Sequence, residues 1–278
     1  MSFRIIQSKQ NPRLKQLRQA LAHPGRVGMS APEPAHSLLA GIEGPNLLEE
    51  ALHAGLRVEC IFAAQGSEHL LEALPLSPET EVLLLPRELL NSVLTTEAPQ
   101  PIAALIEPPV WNWADLLDGK PRTVPLLVLL AGLQDPGNLG TVLRSAEAFG
   151  ATGVVCLPGT VSAWNLKAVR ASAGSVFRLP LRTATAEDLF PRLRAMGIRI
   201  FTTAVHGAEP LHSADLSGPT ALIIGNEGNG VPAKIAAEAH TALTIPCPGP
   251  VESLNASVAA SILLYEAARQ RSTLGRAQ

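Results

Sequence analysis

The sequence predicts an α/β protein, with a small mixed α/β domain ahead of a larger domain built on a parallel sheet. Two observations carry this. Short apolar runs alternate with helix-like segments from residue 38 onward. In the second half those runs are nearly uninterrupted, as in Leu126–Ala131 and Ala221–Ile224, which fits strands buried on both faces. A third observation concerns function: three of the runs stop in loops dense in Gly, Pro, Asn or Ser. Functional residues of α/β proteins gather in such loops, at the carboxyl ends of parallel strands.

Taken in order, Ile5–Leu21 is expected to be a helix with a basic face, with Asn11 as cap and Pro12 at its first position. His23–His36 is rich in Pro, Gly and Ser and is expected to be a loop. Helices are expected at Leu47–Ala54, His69–Leu74 and Arg87–Val93, and strands at Val58–Ala63, Val82–Leu85 and Ile102–Ile106, a pattern that closes a small sandwich. Pro108–Thr123 is expected to be a linker in which Leu116 and Leu117 form a short docking helix. Beyond it, strands are expected at Leu126–Ala131, Gly153–Cys156, Arg199–Thr203, Ala221–Ile224 and Ala242–Ile245. Helices are expected at Leu139–Phe149, Ala163–Ala171, Ala186–Met196, Ala233–Ala239 and Ser253–Arg269. The expected divisions are 1–36 (basic helix and loop), 37–107 (small domain), 108–123 (linker) and 124–278 (large domain).

Composition bounds the function. The chain of 278 residues is 46% hydrophobic with only 4% aromatics, so its core is mostly Leu, Ala, Val and Ile. Cys60, Cys156 and Cys247 are far apart and fit neither a zinc site nor a disulfide framework, which points to a reducing cytoplasm and no metal. Met1-Ser2-Phe3-Arg4 is not followed by a long apolar run, so no signal peptide is expected. The longest apolar stretch, Val124–Leu133, is interrupted by Pro125 and Gly132 and falls short of the about 20 residues a membrane span needs. Net charge is −2, but cations cluster: Arg4, Lys9, Arg13, Lys15, Arg18 and Arg26 precede any acidic residue, and a second group runs from Lys167 to Arg199. Either cluster alone reads as the solvated face of a helix. Together, beside a site of the kind described next, they point to phosphate contacts.

The three loops are Asp135-Pro136-Gly137-Asn138-Leu139-Gly140-Thr141-Val142-Leu143-Arg144, Ile224-Gly225-Asn226-Glu227-Gly228-Asn229-Gly230, and Ile245 through Pro246-Cys247-Pro248-Gly249-Pro250-Val251-Glu252 to Ser253-Leu254-Asn255-Ala256-Ser257. Each admits a plain structural reading. Asn138 can be an N-cap with Arg144 an exposed helical residue; the glycines can form a strand-to-helix turn ended by Pro232; Ser253 can cap the last helix. The glycines fall as G-x-x-G-x-G, not as the G-x-G-x-x-G of a dinucleotide site, so a dinucleotide-dependent oxidoreductase is excluded. His206 and His212 have no metal-ligand partners at suitable spacing and read as polar loop residues.

In spelling and order the three loops resemble the motifs of the SpoU (TrmH-type) RNA ribose methyltransferases of the SPOUT superfamily, from about Leu126 to Gln270. The resemblance implies transfer of a methyl group from S-adenosyl-L-methionine to a ribose 2′-hydroxyl in structured RNA, rRNA ahead of tRNA. It also implies a deep trefoil knot and a cytoplasmic homodimer whose second subunit closes the site. It assigns Asn138, Arg144, Glu227, Ser253 and Asn255 to catalysis, with Glu227 beside the Arg144 guanidinium and Asn138 orienting Arg144 or binding the ribose. Thr203, Gly225, Ile245 and Leu254 fall to the cofactor. Ala256, Cys247 and Pro248 depart from the usual residues of the third motif. A weaker resemblance makes 37–107 the substrate-binding (RNA) domain, with Glu43-Gly44 at its start. The arm residues Arg4, Lys9, Arg13, Lys15 and Arg18 are expected to hold RNA and not to build the core. The alternative is a noncatalytic RNA-binding module on the same fold.

Overall fold

The computed structural model describes residues 3–22, 39–117, 123–204, 207–251 and 253–274. The expected loop His23–His36 and His206 lie outside these residues, as do Arg26 and part of the expected linker. The chain forms two compact units, one of residues 1–110 with 162–178, the other of residues 111–161 with 179–278.

The first unit opens with β1 (Phe3–Ile5), α1 (Pro12–Ala22), β2 (Ala40–Glu43), α2 (Pro45–His53), β3 (Val58–Ala64), β4 (Glu81–Leu85), α3 (Arg87–Asn91) and β5 (Ile102–Ile106). Its mixed sheet has the order β1-β4-β3-β5-β2. The N-terminal arm does not behave as expected. Residues 3–5 are a strand, paired parallel with β4 from Phe3↔Val82 to Ile5↔Leu84. The helix begins at Pro12, where Asn11 Oδ1 accepts from the Arg13 and Leu14 amides at 2.9 and 3.4 Å. Leu14, Leu17 and Leu21 fall on one helical face and are buried in the unit's core with Phe62, Leu83 and Leu105. Each buried leucine is worth about 1.5–3 kcal/mol, so the arm is part of the fold.

The rest of the chain runs α4 (Trp113–Leu117), β6 (Leu126–Ala131), α5 (Pro136–Ala148), β7 (Gly153–Cys156), α6 (Leu166–Ser172), α7 (Ser175–Arg178), β8 (Leu181–Thr183), α8 (Ala186–Ala195), β9 (Arg199–Thr203), β10 (Glu209–Pro210), β11 (Thr220–Gly225), α9 (Ala233–Ala236), β12 (Thr241–Thr244) and α10 (Ala256–Leu274). Among these, α6 and α7 belong to the first unit. There Leu166 enters the core and Arg178 Nη1 bonds Glu50 Oε2 at 2.5 Å.

The second unit is built on an all-parallel sheet of order β10-β12-β9-β11-β6-β7-β8. The central pair, β6 and β11, is buried along its whole length, as the unbroken apolar runs predict. One face packs with α4 and α8 through Leu116, Leu117, Leu189 and Phe190. Helices α5 and α10 pack on each other, joined by Ser145 Oγ and Ser261 Oγ at 2.7 Å. Near the end of α10 the Arg271 guanidinium is a strut. It donates to the carbonyls of Leu216 (3.1 Å), Val124 (2.9 Å), Pro125 (3.0 Å) and Gly218 (2.7 Å). Burial pulls its pKa down to about 10, still well above neutrality. Among the described residues no helix is long and apolar enough to cross a membrane. Cys60 and Cys156 are buried free thiols pushed up to about 12 by burial.

Candidate active site

The loops following β6, β11 and β12 leave the same end of the parallel sheet, and β6 and β11 are neighbours in it. The first loop turns at Gly132 (φ 80°), and Asp135 caps α5, its Oδ1 accepting from the Asn138 amide at 2.8 Å. Asn138 is therefore not the cap; it sits inside the first helical turn with its side chain free for other partners. The second loop folds back at once: Asn226 and Gly230 exchange backbone bonds of 2.9 and 3.0 Å. A Cβ on Gly225 would meet the Gly230 carbonyl carbon at 2.2 Å and the Val231 nitrogen at 2.4 Å, so only glycine fits there. The third loop ends at Asn255, whose Oδ1 accepts from the Ser257 amide (2.9 Å), the Ser257 hydroxyl (2.7 Å) and the Val258 amide (3.4 Å). Asn255, not Ser253, caps α10, and the helix starts three residues later than expected.

These caps determine a directed chain of hydrogen bonds. With Oδ1 of Asn255 committed to the helix end, its Nδ2 faces outward and donates to Asn138 Oδ1 at 3.1 Å. Asn138 Nδ2 then donates to Glu227 Oε1 at 3.0 Å. The Asp135 and Gln134 amides donate to Glu227 Oε1 and Oε2 at 3.1 and 3.3 Å. Every partner of the carboxylate is a donor, so its ionised form is favoured. Burial pushes the Glu227 pKa up, but the bonds from the Asn138 side chain and the backbone amides outweigh it, and the group sits below its ordinary value.

Arg144 is exposed on α5 and, among the described residues, makes no hydrogen bond or ion pair. The expected Glu227–Arg144 contact is absent, as is any bond from Asn138 to Arg144. Glu227 is held by loop amides and Asn138 instead, because the α5 cap leaves Asn138 facing it. Thr203 ends β9, its hydroxyl 3.5 Å from the Ile223 carbonyl. Ile245 and Leu254 are half-buried at the two ends of the third loop, and Ser253 is exposed.

The cationic clusters are largely neutralised within the protein. Arg13 bonds Glu59 and Glu81 at 3.0 and 2.9 Å, and Arg4 lies 3.8 Å from Glu81. Arg192 pairs with Asp188, Arg194 with Glu238 and Arg199 with Asp215. Lys9, Lys15 and Arg18 are exposed and have no bonded partner among the described residues. Sequence reasoning missed Asn226, Asp135 and Thr160, which shape the first two loops. The Asx spelling of Asp135-Pro136-Gly137 is the one available signal, for a cap followed by proline.

The SpoU rRNA Methylase family matches residues 125–265, and the RNA 2′-O ribose methyltransferase substrate-binding family matches residues 42–110. The chain belongs to the SpoU rRNA methylase family. It is 35% identical over 226 residues to the 23S rRNA (guanosine(2553)-2′-O)-methyltransferase RlmP of Bacillus subtilis (strain 168), covering 81% of this chain and 86% of that one. The AdoMet-bound rRNA methyltransferase of Sinorhizobium meliloti superposes with a TM-score of 0.79 at 29% identity, covering 96% of this chain and 98% of that one. The SpoU methyltransferase AviRb of Streptomyces viridochromogenes, in complex with AdoMet, gives 0.78 at 28% identity, covering 95% and 99%. In this chain the substrate-binding match precedes the methylase match. The motif loops read from the sequence all lie inside the latter.

Proposed function

We propose that this SpoU methylase transfers a methyl group from S-adenosyl-L-methionine to a ribose 2′-hydroxyl of structured RNA, with rRNA the favoured substrate. The observation that carries this reading is the Asn255→Asn138→Glu227 chain, which ties the three motif loops together and leaves Arg144 unpaired beside them. The residues assigned to the cofactor suit it. Ile245 and Leu254 offer half-buried apolar sides for a flat base, and the nearby charges, Glu227 and Asp135, are negative and suit a sulfonium. When bound, the cofactor supplies a methyl group already activated by its positive sulfur.

The chain's own residues do the rest. Arg144 grips the phosphate next to the target ribose with two parallel N–H bonds and lines up its hydroxyl. Its charge stabilises the oxygen as the hydroxyl proton passes to solvent water. A delocalised guanidinium is suited to electrostatic support more than to accepting that proton. Glu227, held ionised, fixes Asn138, and Ser253 and Asn255 border the same space. Lys9, Lys15 and Arg18 supply phosphate contacts from the first unit. The knot expected of the family belongs to this reading, as do a cytoplasmic location and a homodimer. The apolar strip of Val258, Ile262 and Tyr265 on α10 with Phe149 just after α5, with Tyr265 56% exposed, supports a second copy there.

The test is transfer of a labelled methyl group to ribosomal RNA and tRNA from cells lacking the protein, followed by mapping of 2′-O-methyl positions. Incorporation at a ribose supports the reading. Cofactor-independent RNA binding with no incorporation would favour the noncatalytic module.

A further inference from the structure

We propose that Asn226 and Thr160 are positioning residues for methyl transfer: together they clamp Gly132, and the clamp holds the Gln134 and Asp135 amides on Glu227. The inference rests on the reading of this site as a methyl-transfer centre.

Gly132 lies at φ 80° with open space where a side chain would be, so its own conformation is soft. Both of its backbone groups are nevertheless held. Its amide donates to Thr160 Oγ1 at 3.1 Å, and that hydroxyl donates onward to the Leu130 carbonyl at 2.8 Å. Its carbonyl accepts from Asn226 Nδ2 at 2.9 Å. The Asn226 amide cannot turn round, because its Oδ1 accepts from the Gly228 and Asn229 amides at 2.9 and 3.1 Å. The Val161 amide adds a bond to the Leu133 carbonyl at 2.8 Å.

The consequence appears two residues on. Gln134 and Asp135 present their amides to Glu227, the residue that follows Asn226. The first and second loops are thus locked reciprocally: Asn226 donates from the second to the first, and the two amides donate back. Without the Gly132 bonds, only the Leu133 bond and the Asp135 cap hold this segment, the amides drift from the carboxylate, and Asn138 loses the fixed acceptor that orients it. Asn226 and Thr160 act through Glu227 and Asn138. Asp135 is the one other carboxylate in this set of bonds, and Arg144 does not contact Glu227.

Asn226→Asp separates the clamp from the turn. It keeps an oxygen for the Gly228 and Asn229 amides but sets a carboxylate oxygen against the Gly132 carbonyl. The expected result is a kcat at least about tenfold lower at saturating RNA and cofactor, with KM for RNA little changed. The acid limb of the kcat–pH profile moves to higher pH as Glu227 loses its donors. Amide hydrogen exchange across residues 132–138 becomes at least about tenfold faster. Thr160→Val is expected to do the same, and Thr160→Ser, which keeps the hydroxyl, to restore wild-type behaviour. Unchanged kcat, acid limb and exchange in Asn226→Asp, or a Thr160→Val protein indistinguishable from Thr160→Ser, would overturn the proposal. A wild-type protein that methylates no RNA would instead remove the function assigned to the site, and the exchange measurements would still decide whether the clamp holds the loop.

Discussion

Asn138 Nδ2 lies 3.0 Å from Glu227 Oε1, and this bond joins the loop after β6 to the loop after β11. Asn138 is available for it because Asp135 takes over the capping of α5. Asn255 in turn fixes which end of the Asn138 amide faces the carboxylate. Three residues read from the sequence as members of one site are thus connected in one direction, and the only strongly cationic member, Arg144, stands outside the chain.

Arg144→Ala is expected to lower kcat by at least about a hundredfold, because an electrostatic contact made in the transition state is lost. Cofactor affinity should stay within a few-fold and stability within about 1 kcal/mol, as Arg144 is exposed and unpaired. Arg144→Lys should also be poor, since a point charge does not reproduce a planar two-pronged grip. Single-turnover kinetics with calorimetric cofactor titration checks all three.

Glu227→Gln is expected to destabilise the protein by about 1 kcal/mol near neutral pH, because an amide group must point at one of three donors. The folded pKa of Glu227 is lowered, so its contribution is present above the unfolded carboxyl value of about 4.3 and is lost as pH falls through the folded value. The melting-temperature gap between wild type and variant should therefore narrow in acid. A gap that stays constant below pH of about 4 would show that Glu227 is not held ionised by these bonds.

Arg271→Met is expected to cost about 2–3 kcal/mol, since four carbonyls lose their donor at a half-buried position. Its pKa of about 10 keeps it charged at neutral pH, so the loss should be flat between pH about 6 and 8. Chemical denaturation across that range measures it.

Replacing Lys9, Lys15 and Arg18 together by glutamine should weaken RNA binding and flatten its salt dependence by about 2–3 units of slope, with melting temperature unchanged. Deleting residues 1–22 should instead destabilise the first unit, because Leu14, Leu17 and Leu21 are core. An unchanged salt slope in the triple variant would remove the arm from the RNA contact surface.

Much of this was legible in the chain. The strands Leu126–Ala131 and Ile102–Ile106 are where their apolar runs place them, since burial on both faces leaves an unambiguous trace. The short edge strands β1 and β8 left none: Phe3–Ile5 has exposed residues and carries a charge, and three residues make no period. The basic arm was misread because charge pattern says where cations are and not which glutamates face them; Glu59 and Glu81 come from strands far along the chain. The motif loops declared their members, but not their wiring. Whether Asn138 or Asp135, and Asn255 or Ser253, caps a helix is decided by a shift of two or three residues, below what propensity resolves. That shift redirected Asn138 to Glu227 and left Arg144 alone.

Residues 162–178 belong to the first unit yet are encoded between strands of the second. A ribosome that has released residues 1–110 has not yet supplied Leu166 to that unit's core, nor Arg178 to Glu50. The N-terminal unit therefore cannot finish until residues 111–161 of its neighbour have been made. Neither unit can be excised, swapped into another protein or duplicated by a single cut in the gene, and the pair is inherited as one piece.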